Sequence, residues 1–431
     1  MKRPTLQLLL LAAFSTSAAM GQSLQINCAP GGSVANKLVC EFPFSTGGLA
    51  AGSAATERAI AINTGIATQV SQLPLATASA GTVEVYKGGV PETFNNLGPI
   101  LTDRAQTVGK GKVFIGVTAS QYVFTNIDGT SLGKLPFAYS QTNYLPGSNN
   151  TIPISTTYTS ETSKLAFTMD QLVAVGTVGL SKRMDVSVIV PVVRVSLGDT
   201  TSNSTSYIQS TGSSVAVGPI SNPSLYAAGS ANGVGDVTFN LKSVLQSGER
   251  ATFSAGFTMR TPTGDDRNLL GSGSWGFNPY VVYAYLAKVS PHARFGYQWN
   301  TRTELNNPTN LVGGNQRLPG GMDYDIGFDW ALARRITVAA DLLGNQYLNT
   351  PVYLLSTTSI QTATTPSGTP QTTNLSSSTI QNSSYTINDL SAGFKWNPGK
   401  FLVFSANVLI QLNNNGLRSR PTPLVGISYK F

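Results

Sequence analysis

Pro423-Leu-Val-Gly-Ile-Ser-Tyr-Lys-Phe431 is the stretch on which the fold turns. Val425, Ile427, Tyr429 and Phe431 are apolar or aromatic, whereas Gly426, Ser428 and Lys430 between them are tiny or polar. Strand side chains alternate faces, so the segment presents one face to an oily medium and the other to a polar one. A soluble domain seldom keeps such a pattern at its fraying end. The segment therefore reads as a membrane-facing strand, and the rest of the chain tests that reading.

Working back from it, the same period recurs in twelve segments: Lys112 to Asn126, Thr162 to Val178, Met184 to Leu197, Val234 to Leu245, Arg250 to Thr261, Ser274 to Ala287, Ala293 to Leu305, Gly321 to Ala333, Ile336 to Leu348, Tyr385 to Trp396, Phe401 to Leu412 and Arg420 to Phe431. Each is long enough for a tilted membrane strand, which needs about 9–11 residues. Short connections (Ser181 to Arg183, Ser247 to Glu249, Lys288 to Pro291, Arg334 to Arg335, Asn397 to Lys400) alternate with long ones (Ile127 to Glu161, Asp199 to Gly233, Pro262 to Gly273, Asn306 to Gly320, Asn349 to Ser384, Asn413 to Ser419). A bacterial outer-membrane barrel sorts its connections this way, with tight turns at the periplasmic rim and long loops outside. The expected fold is all-β: a transmembrane antiparallel barrel of about 12 strands after a short helical or irregular N-terminal segment. Closure is required, because an open sheet edge in hydrocarbon leaves backbone groups unpaired at several kcal/mol each.

The faces separate by chemistry. Over Gly321 to Ala333, Tyr324, Ile326, Phe328, Trp330 and Leu332 share one face, and Asp323, Asp325, Gly327 and Asp329 the other. In Ala293 to Leu305 the outer set is Phe295, Tyr297 and Trp299, opposite Arg294, Gly296, Gln298, Asn300, Arg302 and Glu304. A Lys or Arg facing lipid costs about 2–4 kcal/mol near the midplane. The expected lumen lining is therefore Arg260, Arg294, Arg302, Asp323, Asp325, Asp329, Asp341 and Lys395. These charges suit either a structural network filling a narrow barrel or the lining of a pathway. Tyr285, Phe295, Trp330, Trp396 and Phe431 stand near the short turns as an aromatic girdle. The alternation slips between Met169 and Leu172, predicting a bulge at Asp170–Gln171, and Pro191 and Pro279 predict further bulges. The Ser/Thr-rich stretch Leu355 to Thr379 lacks periodicity and reads as a mobile loop.

At the other end, Lys2 and Arg3, the apolar run Leu8 to Phe14 and the small residues through Gly21 have the layout of a secretory signal peptide over residues 1–21. Residues 22–110 are expected to be a periplasmic or plugging segment, and 111–431 the barrel. Cys28 and Cys40, the two cysteines of the chain, are expected to form one disulfide in an exported protein. Ile62, Ile66, Val70 and Leu73 recur at helical spacing behind Thr56 and Glu57 and before Pro74. They predict one short amphipathic helix, which either packs on an apolar surface or plugs the barrel mouth. Charged residues are 11% of the chain, against about 25% in soluble domains. Removing Lys2 and Arg3 from the formal +8 leaves +6, with no basic cluster suited to nucleic acid.

Chemical motifs are few. Gly271-Ser-Gly-Ser-Trp-Gly276 has the spacing of a dinucleotide fingerprint but lacks the strand–helix context, so its glycines read as loop turns. His292, the one histidine, is expected in a solvated periplasmic turn, which speaks against a histidine-based hydrolase. Asp265, Asp266 and Arg267 read as a solvated loop, or as part of a calcium or sugar-phosphate contact. No enzyme activity, metal or cofactor is expected.

Gly233-Val-Gly-Asp236 opening a strand, followed by Pro262-Thr-Gly-Asp265, Leu269-Leu-Gly-Ser-Gly273 and Pro279, resembles the family of outer-membrane proteins named for the MetA pathway of phenol degradation. Gly179-Leu180, Asp185-Val186 and Pro191 are similar to an upstream pattern of that family. The resemblance runs from Thr162 to Phe431. The family's kinship with outer-membrane long-chain fatty-acid transporters implies passive uptake of small hydrophobic or aromatic compounds. It supplies no functional residues to carry over. A structural or surface-binding barrel is the rival reading. The expected partners are the bilayer and lipopolysaccharide, small hydrophobic or aromatic solutes and the outer-membrane assembly machinery, with no nucleic acid.

Overall fold

The computed structural model describes residues 38, 65, 66, 68, 83–87, 90–94, 96–303, 316–364, 367–399 and 401–431. Twelve antiparallel strands form a closed barrel: β1 (Val113–Ile127), β2 (Phe167–Gly179), β3 (Met184–Ser210), β4 (Thr238–Ser247), β5 (Ala251–Arg260), β6 (Gly276–Tyr285), β7 (Val289–Asn300), β8 (Gly321–Ala333), β9 (Ile336–Thr364), β10 (Pro370–Trp396), β11 (Leu402–Gln411) and β12 (Thr422–Lys430). The final strand pairs with the first, from Leu424 opposite Ser120 to Lys430 opposite Phe114. That seam leaves no free edge among these strands, which is the condition for a sheet to sit in hydrocarbon.

Ile326, Phe328, Trp330 and Leu332 are exposed on the outside of β8, while Asp323 and Asp329 are buried inside. An exposed apolar exterior over a buried polar interior inverts the soluble pattern and fits a sheet solvated by lipid. Trp330, Trp396 and Phe431 are exposed near the short-turn rim, as a girdle requires, whereas Phe295, exposed opposite Tyr324, stands in mid-strand and outside it. No helix among the described residues is long and apolar enough to cross a membrane. The protein is a bacterial outer-membrane barrel.

Three expectations about the sheet are corrected. The β1–β2 ladder runs without a register shift from Val113↔Val178 to Phe124↔Phe167, so Asp170–Gln171 is not a bulge. The alternation looks broken because Phe167 and Met169 point inward into an apolar interior while Leu172 points to lipid. Pro191 lies opposite a bulge on the neighbouring strand: Val234↔Val192 and Thr238↔Ile189 leave three residues facing two. At Pro279 the β6–β7 pairing lapses between Phe277↔Trp299 and Tyr280↔Gly296, with no change of register.

The outer loops are also more ordered than their composition implies. Strands β9 and β10 continue as one hairpin through the Ser/Thr-rich stretch, from Thr350↔Ser383 to Thr364↔Pro370. Threonine and serine satisfy a ladder regardless of hydrophobic period, which is why periodicity misses it. The extension of β3 pairs with Pro153–Lys164, which pairs in turn with Leu135–Tyr144. The two outer lobes meet through Ala216, Ile360 and Leu375, and Tyr353 donates from its hydroxyl to the Pro136 carbonyl at 2.8 Å.

Candidate functional site

The lumen has two chemically different walls because the inward positions of adjacent strands differ in kind. Along β1 to β3 the inner face carries Tyr122, Phe124, Phe167, Met169, Val193 and Val195, all buried. Phe124 stacks on Phe167 with ring centroids 5.1 Å apart. Leu38 and Ile66 of the N-terminal region belong to the same apolar cluster, and Ile66 is helical, as its spacing predicts. Cys28 and Cys40 lie outside the described residues.

The opposing wall, β4 to β10, is polar and close to the short-turn rim. Arg294 bridges Asp323, reaches Asp325 at 3.8 Å and lies 4.5 Å from the centroid of the Tyr280 ring. Asn278 completes the group by donating to Asp323 Oδ1 at 2.6 Å. His292 is 3% exposed, bonded through Nε2 to Asp341 Oδ1 at 2.8 Å, with Asp329 3.4 Å from Nδ1. The expectation of a solvated turn histidine is overturned. The ladder of β7 begins at Val289, and an inward register for Ser290 carries His292 and Arg294 inside with it.

Into this wall runs the segment 96–108. Asn96 donates to Ser290 Oγ at 2.9 Å and the Leu97 amide to Thr337 Oγ1 at 3.0 Å. Lys395 donates to the carbonyls of Leu97 and Pro99. Asp103 stands 3.5 Å from Arg294 Nε. Lys242 donates to the Arg104 carbonyl at 2.6 Å, Ser254 to the Ala105 carbonyl at 2.5 Å, and the Val108 amide to Asp185 Oδ2 at 2.9 Å. Burial lowers the Arg104 guanidinium to about 10, with Asp329 opposing the shift, so it stays cationic at neutral pH. Between Ile100, Leu101 and the facing wall remains a cavity of about 30 Å³, room for about one water.

Of the eight residues expected to line the lumen, Arg294, Asp323, Asp325, Asp329, Asp341 and Lys395 converge on this wall. Arg260 is inward and buried but stands nearer the outer mouth, 3.6 Å from Asp236, donating to Asn300 Oδ1 at 2.9 Å. Arg302 departs from the expectation. Strand β7 ends at Asn300, and Arg302 is exposed in a separate short pairing with Arg317. Asp185, Lys242 and the segment 96–108 escape sequence reading: Asp185 stands at the very start of β3, Lys242 is the one charged residue of β4, and the segment has no period.

Asp236 organises the outer mouth. It accepts from the Gly264 amide at 3.0 Å, from the Ser272 amide at 2.8 Å and from Ser272 Oγ at 2.5 Å. These contacts fold the loop between β5 and β6 inward, so that Leu269 and Leu270 join the apolar cluster of the lumen. Asp265 caps a short turn, accepting from the Asn268 side chain at 2.7 Å. A Cβ on Gly271 would come within 2.4 Å of Asp236 Oδ1, so the close approach requires glycine there. The motifs at 233–236, 262–265 and 269–273 are thus one physical unit.

The family described as "Putative MetA-pathway of phenol degradation" matches residues 138–340, which contain that unit. Over these residues the chain is similar to that family. The MetA-pathway match starts earlier and ends sooner than the Thr162 to Phe431 expected. No curated protein matches the chain. Among solved structures, an outer-membrane channel from Pseudomonas putida F1 is similar at 13% identity and a TM-score of 0.40, over 77% of this chain and 100% of that one. A FadL homologue from Pseudomonas aeruginosa gives 8% identity and a TM-score of 0.28, over 74% of this chain and 89% of its own. The outer-membrane channel DcaP of Acinetobacter baumannii gives 9% and 0.27, over 74% and 96%. At these scores the barrel assignment rests on the strand ladder of this chain itself.

Proposed function

We propose that this protein is an outer-membrane channel for passive uptake of small hydrophobic or aromatic compounds, with residues 22–110 as its plug. The observation that carries the reading is the apolar wall of Tyr122, Phe124, Phe167, Met169, Val193 and Val195, held inside the barrel and facing a polar wall. Porin-type interiors are polar throughout, and an aromatic lining suits a ring-bearing or aliphatic solute. The channel moves solute without chemical conversion. The described part of the lumen is filled by the segment 96–108 and the infolded loop, so conduction on this reading requires one of them to move.

A second reading, a structural barrel with no transport role, draws support from the pairing of the inward charges: Arg294 with Asp323 and Asp103, His292 with Asp341, Arg260 with Asp236. Liposome swelling decides between them. Purified protein should admit small aromatic acids, and a variant lacking residues 22–110 should admit them faster. Impermeability of both would favour the structural barrel.

A further inference from the structure

On the outside of the barrel, Gln121, Asp170, Arg194 and Asn232 form one row across β1, β2, β3 and the strand Leu225–Val234 that precedes β4: Gln121 is opposite Asp170, Asp170 opposite Arg194, and Arg194 opposite Asn232. Directly beneath runs an apolar row, Ala119, Leu172, Val192 and Val234, in the same register. Leu172, Val192 and Val234 are exposed, as is Val425 beside them. Between the rows lies a groove of about 610 Å³ bordered by Leu172, Val192, Arg194, Asn232, Pro423 and Val425.

Height fixes where this row stands. On β3 the outward residues Met184, Val186, Val188, Val190 and Val192 are all apolar, and Arg194 follows. From Met184 to Arg194 a strand rises about 33 Å. At a tilt of ~40° that is about 25 Å of height, the thickness of the apolar band. Arg194 therefore sits at the headgroup level of the outer leaflet. The far wall is different at its outer end, where Met259, Phe277 and Trp299 form an apolar and aromatic row by the same kind of register. The polar row is a local feature of one side.

Asp170 is engaged by Gln121, whose Nε2 donates to Oδ1 at 2.8 Å. Arg194 is exposed and makes no side-chain hydrogen bond or ion pair with any described residue. A guanidinium offers a planar fork suited to phosphate. We propose that this groove binds a phosphorylated lipid of the outer leaflet, with acyl chains on Leu172, Val192 and Val425, the phosphate on Arg194 and further polar contact from Asn232. Asp170 borders the phosphate position and repels it, so the site holds its lipid moderately. The inference rests on the outer-membrane placement and not on the channel reading, and it survives if the barrel proves impermeable.

The test uses the full mature chain in detergent, incubated with a phosphorylated outer-leaflet glycolipid, the same glycolipid dephosphorylated, phosphatidylethanolamine, or millimolar inorganic phosphate, and read by native mass spectrometry. Wild type retains the phosphorylated glycolipid, and Arg194→Gln or removal of the phosphate each lowers retention about tenfold. Inorganic phosphate alone does not displace the lipid, and phosphatidylethanolamine, whose phosphodiester carries less charge than a phosphomonoester, is held less well than the phosphorylated glycolipid. Asp170→Asn, which removes the repelling carboxylate, raises retention. Heat-dependent gel mobility checks that each variant is folded. Equal retention by folded Arg194→Gln, equal retention of the dephosphorylated glycolipid, or a fall in retention for folded Asp170→Asn overturns the site.

Discussion

Asp236 shows how one side chain can hold a loop inside a barrel, since it accepts from two backbone amides and one hydroxyl of the infolded stretch. Replacing Gly271 with Ala forces a Cβ against its Oδ1, an overpacking cost of about 1–3 kcal/mol. Urea unfolding in lipid vesicles should register that loss, and Ala at Gly368, which has open space around it, should cost less despite its own positive φ. Arg294 carries a heavier consequence. Arg294→Ala leaves Asp323, Asp325 and Asp103 without their shared cation, an expected loss of about 3–5 kcal/mol. The double change Arg294→Met with Asp323→Asn should recover part of it in the same unfolding assay, because it removes a charge from both sides.

Among the elements, the barrel strands are legible in the sequence because lipid outside and polar groups inside impose a strict two-residue period, as Ile326, Phe328 and Trp330 against Asp325 and Asp329 show. Legibility fails where both environments are alike. Phe167 and Met169 face an apolar interior, so β2 loses its contrast and mimics a bulge. The outer half of the β9–β10 hairpin fails for another reason, its Ser/Thr ladder carrying no period around the few buried contacts at Tyr353, Ile360 and Leu375. In the site, Arg294, Asp323, Asp329 and Lys395 are readable as inward charges, but their partner segment 96–108 carries no repeating pattern and is placed only by its contacts. Because that outer hairpin stands beyond the membrane strands, replacing residues 351–382 with a short turn should leave folding and heat-dependent gel mobility intact. Loss of the folded band on that truncation would place the hairpin within the cooperative unit of the barrel.

At the level of the whole molecule, the exterior is a solvent contact with lipid, and its tolerance for charge depends on depth. Ile326 stands near the middle of β8 on the outer face and is 56% exposed. Ile326→Lys should cost about 2–4 kcal/mol in a vesicle folding equilibrium, whereas Lys at Phe431, beside the rim, should cost about 1 kcal/mol or less. The closing seam has one further result. The Phe431 amide bonds to the Val113 carbonyl at 2.8 Å, and residues 96–108, just ahead of that strand, already lie within the cylinder. The leading portion of the polypeptide thus acts as a mandrel around which the wall is wound. For residues 96–108 to be enclosed without threading a finished ring, they would have to be seated before the last hairpin docks.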